Sequence, residues 1–158
     1  LCGRRGCLEG YASGTSIALR AREAVAERGQ DSALAQLPTV RAEDVVAAAA
    51  EGDPLATELW EETVDVLSTA LTDLVNVFEP DLVVLGGGVT RSGDALVVPV
   101  RERVAASAMP PAAAASTVVL AELGDVVCVV GAGAVAFDRL DQLAGAGAGL
   151  APKGENRG

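Results

Sequence analysis

The feature that most constrains the fold is a long helical stripe in residues 54–78. Asp53-Pro54 opens it, because an aspartate at the N-cap followed by proline at the first helical position is a typical helix start. Glu79-Pro80 closes it. The apolar residues between these signals recur at intervals of three and four: Leu55, Leu59, Val66, Leu67, Leu71, Leu74, Val75 and Phe78. This spacing predicts one long helix that packs one face on a core.

A short apolar run follows the long helix. Residues 81–85 are rich in branched side chains and are bounded by turn signals, so they predict a buried, central strand and an α/β fold. Gly86, Gly87 and Gly88 come directly after it. Three successive glycines let the backbone approach a ligand closely and expose its N–H groups. A strand that ends in a glycine turn is also common, so the triplet alone is a weak phosphate signal.

The remaining elements are simpler. Residues 17–28 and 42–51 predict helices, and residues 117–123 predict a second strand. Residues 94–109 predict a helix whose start near residue 96 would place Pro99 in the first turn, where proline is tolerated. Propensity alone predicts a strand at 126–130. Trp60, the only tryptophan, is expected at an edge or an interface.

Two cysteines stand at the beginning of the chain. Cys2 and Cys7 bracket a loop whose Gly3 and Gly6 permit a tight backbone path, and thiolates on such a loop suit tetrahedral zinc. The chain has no histidine, so the loop offers only two candidate ligands. Two ordinary thiols beside a turn is the alternative interpretation. Glu9 places a carboxylate next to the loop.

The charge balance excludes some partners. Acidic residues outnumber basic ones 22 to 12, for a net charge of −10, so we expect no direct nucleic-acid binding by this segment. No apolar run approaches the roughly 18 residues of a membrane span. Three cysteines do not form a disulfide framework, which favours a cytoplasmic location.

The string Cys-Gly-Arg-Arg-Gly-Cys-Leu-Glu at residues 2–9, with Ser13-Gly14 after it, resembles the signature of the ROK family, which joins sugar kinases and sugar-responsive repressors. The family pattern reads Cys-x-Cys-Gly-x-x-Gly-Cys-x-Glu and has a zinc-binding histidine upstream. Cys2 is similar to its second cysteine and Cys7 to its third. The resemblance therefore implies that one cysteine and one histidine precede Leu1, and that the chain is a fragment.

The resemblance also implies an architecture. Residues 1–143 would be the C-terminal lobe of a sugar kinase/actin-like ATPase (ribonuclease H-like) fold that begins at a truncated zinc loop, with the N-terminal lobe missing. A helix is then expected to start near Asp125, against the propensity of 126–130. Residues 144–158 are rich in glycine and alanine and predict a disordered tail.

The same resemblance assigns binding roles. Glu9 would accept hydrogen bonds from sugar hydroxyls, residues Gly86, Gly87 and Gly88 would lie beside ATP with its Mg²⁺, and Cys2 and Cys7 would bind structural Zn²⁺. No catalytic residue is assigned, because the phosphate loop and the general base lie in the missing lobe. The chain alone is therefore expected to be inactive, and the full-length parent to be a homo-oligomeric, ATP-dependent hexose kinase. A sugar-sensing domain of a repressor and an inactive remnant are the alternatives.

Overall fold

The computed structural model describes residues 6–148, apart from the side chains of residue 125 and of residues 143–148. The helices are α1 (Glu9–Ala12), α2 (Gly14–Arg28), α3 (Ala42–Ala50), α4 (Pro54–Phe78), α5 (Asp94–Ser107), α6 (Pro110–Ala115) and α7 (Val127–Ala148), and the strands are β1 (Leu82–Leu85) and β2 (Thr117–Leu120). Short 3-10 turns occupy Ala33–Gln36, Gly88–Ser92 and Gly124–Val126. The chain divides into two compact units, Leu1–Gly124 and Asp125–Gly158. The predicted lobe over 1–143 stays a prediction.

The long helix α4 is the centre of the first unit. Its buried apolar side chains are Leu55, Ala56, Leu59, Trp60, Val64, Leu67, Leu71 and Val75. The predicted stripe is therefore confirmed over most of its length, and α3 and α5 pack against it. It is wrong at the C-terminal end, where Leu74 is 46% and Phe78 is 70% exposed. A regular spacing predicts a helical face, but it does not tell where the covering elements stop.

Among residues 6–148 the sheet consists of two parallel strands. Leu82 pairs with Thr117 and Leu85 with Leu120, and α5 lies in the connection between β1 and β2. The prediction of a buried, central strand at 81–85 is wrong, because Leu82 and Val84 are each 54% exposed. In the described part of the chain β1 has β2 as its only neighbour, and only the face that carries Val83 and Leu85 packs on the core.

The position of Pro99 in α5 is related to the hydrogen bond that Trp60 makes. The helix α5 starts at Asp94, so Pro99 lies inside the helix. The prediction that Pro99 lies in the first turn is wrong. Proline has no N–H, so the carbonyl four residues earlier, that of Ala95, receives no helical hydrogen bond from it. The Trp60 indole Nε1–H donates to this carbonyl at 3.3 Å. Trp60 is accordingly buried, with 7% exposure, and the expectation of an edge position is wrong.

The second unit contains α7. The helix that the family resemblance implied near Asp125 is confirmed, and the strand that propensity predicted at 126–130 is wrong. Strand propensity depends strongly on context. Residues 144–148 of the predicted tail are helical, and residues 149–158 lie outside the described residues. No helix in the described part of the chain is long and apolar enough to cross a membrane.

Asp53 ties the connection before α3 to the start of α4. Its Oδ1 accepts from the backbone N–H of Ala56 at 2.9 Å, which caps α4. Its Oδ2 accepts from the Ser32 hydroxyl at 2.8 Å and from the Ala33 N–H at 2.7 Å. Burial raises the pKa of Asp53, but these three hydrogen bonds, together with one from the Leu55 N–H, outweigh it and hold the pKa below its usual value.

We predict that Asp53→Asn lowers the free energy of unfolding by about 1–2 kcal/mol at neutral pH, because the amide cannot accept all three hydrogen bonds. A carboxylate with a lowered folded-state pKa stabilises the fold above its unfolded pKa of about 3.9, and this contribution is lost as the pH falls through the folded value. The difference between wild type and variant should therefore shrink below about pH 4. Urea unfolding at several pH values measures it. Asp31→Asn, at an exposed neighbouring carboxylate, is the control, and a pH-independent difference would contradict the prediction.

Candidate functional site

Glu9 stands on a short turn that leads into α2. It is the first residue of α1, a helix of four residues, and its side chain is exposed. The turn is closed by hydrogen bonds from the Gly10 N–H to the Cys7 carbonyl at 2.9 Å and from the Ser13 N–H to the Glu9 carbonyl at 3.2 Å. Ser13 then caps α2, because its hydroxyl oxygen accepts from the Ser16 N–H at 3.2 Å.

The glycine triplet turns the chain away from β1. Gly87 has φ of 99°, a conformation that favours glycine over every other residue. Its carbonyl accepts both the N–H and the hydroxyl of Thr90, at 3.1 and 2.6 Å, which closes the 3-10 turn Gly88–Ser92. A Cβ atom at Gly87 or Gly88 would meet no heavy atom within 4 Å. The loop therefore presents its backbone to open space.

One cavity of about 380 Å³ brings the two predicted regions together. Glu9 lines it from α1, and Gly86, Gly87 and Gly88 line it from the end of β1. The lining also includes apolar side chains, namely Leu8, Ala12, Leu67, Leu85, Val89 and Leu96. The arrangement offers a carboxylate acceptor and a stretch of glycine backbone on a mostly apolar cavity, as small-molecule sites do.

A second cavity, of about 330 Å³, shares Gly14 and Gly88 with the first. Arg91, just after the glycine triplet, lies 3.3 Å from the Glu43 carboxylate of α3, and both residues line this second cavity. Both residues were absent from the predicted site. Neither belongs to a recognisable motif, and only the folded chain brings α3 next to the glycine loop.

The prediction that Cys2 and Cys7 bind zinc stays a prediction. Cys2 lies outside the described residues, and Cys7 is a half-buried cysteine. Within residues 6–148 no group of three or more His, Cys, Asp or Glu side chains is arranged to hold a metal ion. A tetrahedral zinc site needs about four ligands, so the described residues do not form a complete site by themselves, and of the two predicted thiols only Cys7 lies among them.

The comparisons with known proteins agree on one family. The family model described as ROK family matches residues 1–139. A glucokinase of Halalkalibacterium halodurans is 36% identical over 136 residues, which cover 84% of this chain and 41% of that protein. The chain spans less than half the length of the curated glucokinases it matches, since a Thermotoga maritima glucokinase is covered over 45% of its length.

Solved structures give the same fold. A ROK family glucokinase from Streptomyces griseus, in complex with glucose and AMPPNP, superposes with a TM-score of 0.65 at 26% identity over 79% of this chain and 42% of that chain. A ROK family transcriptional regulator, a homolog of the E. coli MLC protein, superposes with a TM-score of 0.63 at 28% identity over 75% of this chain and 30% of that chain. The predicted α/β architecture of the sugar kinase/actin-like ATPase class is confirmed.

Proposed function

Because this chain belongs to the ROK family, we propose that it is the C-terminal part of an ATP-dependent sugar kinase that phosphorylates a hexose hydroxyl. The observation that carries the proposal is the cavity shared by Glu9 and the residues Gly86, Gly87 and Gly88, because a sugar kinase must hold a polyol and a nucleotide side by side. The glucokinase relatives and the glucose- and AMPPNP-bound structure support it.

Glu9 contributes to sugar binding in this proposal. A carboxylate offers several acceptor positions and makes charge-assisted hydrogen bonds, so it can accept from more than one sugar hydroxyl. Such bonds hold the sugar in the cavity and contribute binding energy in the ground state and the transition state alike. The exposed carboxylate of Glu9 lines the cavity, where an incoming sugar can reach it.

The glycine loop contributes to nucleotide binding. Without Cβ atoms at residues 86–88, a ligand can approach the backbone closely and receive hydrogen bonds from its N–H groups. ATP would bind together with Mg²⁺, and the ion would supply positive charge beside the transferring phosphoryl group. The reaction also needs a general base that takes the proton of the attacking hydroxyl. We assign this base and the phosphate loop to the part of the protein that precedes Leu1.

A sugar-sensing domain of a ROK-type repressor is the second candidate. It is favoured by the likeness to the ROK family transcriptional regulator. In that function Glu9 would bind the sugar in the same way, but no phosphoryl transfer would follow. The sequence upstream of Leu1 separates the candidates, because a DNA-binding helix-turn-helix there indicates a repressor and an Asp-x-Gly-Gly-Thr phosphate loop indicates a kinase.

The longer protein is this chain together with the part that we propose precedes Leu1. We predict that it phosphorylates a hexose with ATP and that the 158-residue chain alone gives no turnover in a coupled assay. In the longer protein, Glu9→Ala should raise the sugar KM by about tenfold to a hundredfold, the effect of losing a charge-assisted hydrogen bond. The ATP KM should change little. Glu23→Ala, which removes an exposed carboxylate of α2, is the control. An unchanged sugar KM removes Glu9 from the site, and sugar binding without phosphorylation favours the repressor.

We further propose that Cys2 and Cys7 supply two ligands of a structural zinc site that the upstream residues complete. Thiolates are ligands that zinc prefers, and the affinity depends on a preformed site. The longer protein should therefore retain one zinc per chain, and Cys7→Ser should lose it. Cys128→Ser, at an exposed thiol of the second unit, is the control and should retain the metal. Stoichiometric zinc in the monomeric 158-residue chain after dialysis against a chelator would contradict this assignment.

A further inference from the structure

The helix that carries Glu9 has little hydrophobic anchorage of its own. Of its residues Glu9–Ala12 none is fully buried, although Ala12 is partly buried against the core. A helix of four residues is far below the length at which helices are stable in water. Something outside α1 must therefore hold it in place if Glu9 is to keep one position in the cavity.

Arg20 of α2 makes that connection. Its Nη1 donates to the Tyr11 carbonyl of α1 at 2.9 Å. The same nitrogen donates to the Thr63 hydroxyl at 3.2 Å, and Nη2 donates to the Leu59 carbonyl at 3.1 Å, both on α4. Nη2 also lies 2.6 Å from the Glu62 carboxylate. Four acceptors therefore meet the four terminal N–H groups of one guanidinium.

The surroundings keep this arrangement rigid. The Arg20 side chain is only 16% exposed, so water competes weakly for its donors. The guanidinium carbon lies 5.8 Å from the centre of the Tyr11 ring, within the range of a cation–π contact. Thr63 is itself fully buried and donates to the Leu59 carbonyl at 2.9 Å, which fixes the orientation of its oxygen. Both the backbone and the ring of Tyr11 are thus held by Arg20.

We propose that Arg20 is the positioning residue that fixes the Glu9 helix against α4 and thereby sets the place of the sugar-binding carboxylate. The effect on sugar binding rests on the proposed function, whereas the effect on the position of α1 does not. The Tyr11 carbonyl is two residues from Glu9 along the same short helix, so release of this contact frees the carboxylate. The anchor acts from the C-terminal side of the turn and does not require zinc.

The chain offers a matched control for this proposal. Arg28, also on α2, makes a bidentate ion pair with Glu58 of α4, with nitrogen–oxygen distances of 2.6 and 2.9 Å. It connects the same two helices but makes no hydrogen bond or ion pair with the described residues of α1. Replacement by lysine keeps the charge in both cases, and an ammonium group cannot reproduce the planar fork of a guanidinium. Arg20→Lys and Arg28→Lys therefore make the same chemical change at two places.

The first measurement is hydrogen exchange of the 158-residue chain in the presence of a chelator. Arg20→Lys should speed the exchange of the amides of residues 10–13 by about tenfold, since local opening of α1 loses a charge-assisted hydrogen bond. Arg28→Lys should leave these amides at the wild-type rate. The melting temperatures of the two variants are measured by circular dichroism. Equal values show that Arg20→Lys is folded. Equal exchange of these amides in wild type and Arg20→Lys overturns the proposal.

The second measurement separates positioning from general stability. In the longer protein, Arg20→Lys should raise the sugar KM by about tenfold, with the ATP KM and kcat nearly unchanged, because it weakens substrate binding in the ground state and the transition state alike. Arg28→Lys should change none of these constants. An unchanged sugar KM for Arg20→Lys in an active kinase overturns the proposal. If the longer protein phosphorylates no sugar, the proposed function fails, and the exchange measurement still decides the role of Arg20.

Discussion

Burial of one face of α4 is the constraint on which the rest of the first unit depends. The side chains from Leu55 to Val75 that face the core bring α3 and α5 onto the same helix. Burying each large aliphatic side chain is worth about 1.5–3 kcal/mol, more than any single polar contact on the surface. The polar contacts of α4 then connect it to defined groups on the neighbouring elements. Asp53 fixes its start, the Trp60 indole donates to α5, and the Leu59 carbonyl and Thr63 hydroxyl receive Arg20.

The position of the cavity follows from the parallel pairing of β1 and β2. Parallel strands need a crossover connection, and the loop at the carboxyl end of such a strand is a common ligand site in α/β proteins. The glycine triplet occupies this loop after β1. The α1 turn reaches the same cavity because it packs on α4, whose Leu67 also lines the cavity. The consecutive elements α4 and β1 thus support two parts of one site, because α1 packs on α4 and the glycine triplet follows β1.

Local signals predicted the elements of this fold but not their surroundings. Asp53-Pro54 and Glu79-Pro80 marked the ends of α4 through backbone chemistry, which acts within a few residues. The exposure of Leu82 and Val84 could not be predicted, since an apolar run does not say which of its faces is covered. The bond from Trp60 to Ala95 depends on a proline in another helix. Glu9 and the glycines were singled out by resemblance to a family, and their common cavity became visible only in the folded chain.

The most direct test of the account is a crystal structure of the longer protein with a hexose and a non-hydrolysable ATP analogue. We expect a Glu9 carboxylate oxygen within hydrogen-bond distance, about 2.5–3.0 Å, of a sugar hydroxyl. The nucleotide should lie against the backbone of residues 86–88 in the same structure. A sugar bound away from Glu9, or a nucleotide that makes no contact with the glycine loop, would contradict the account.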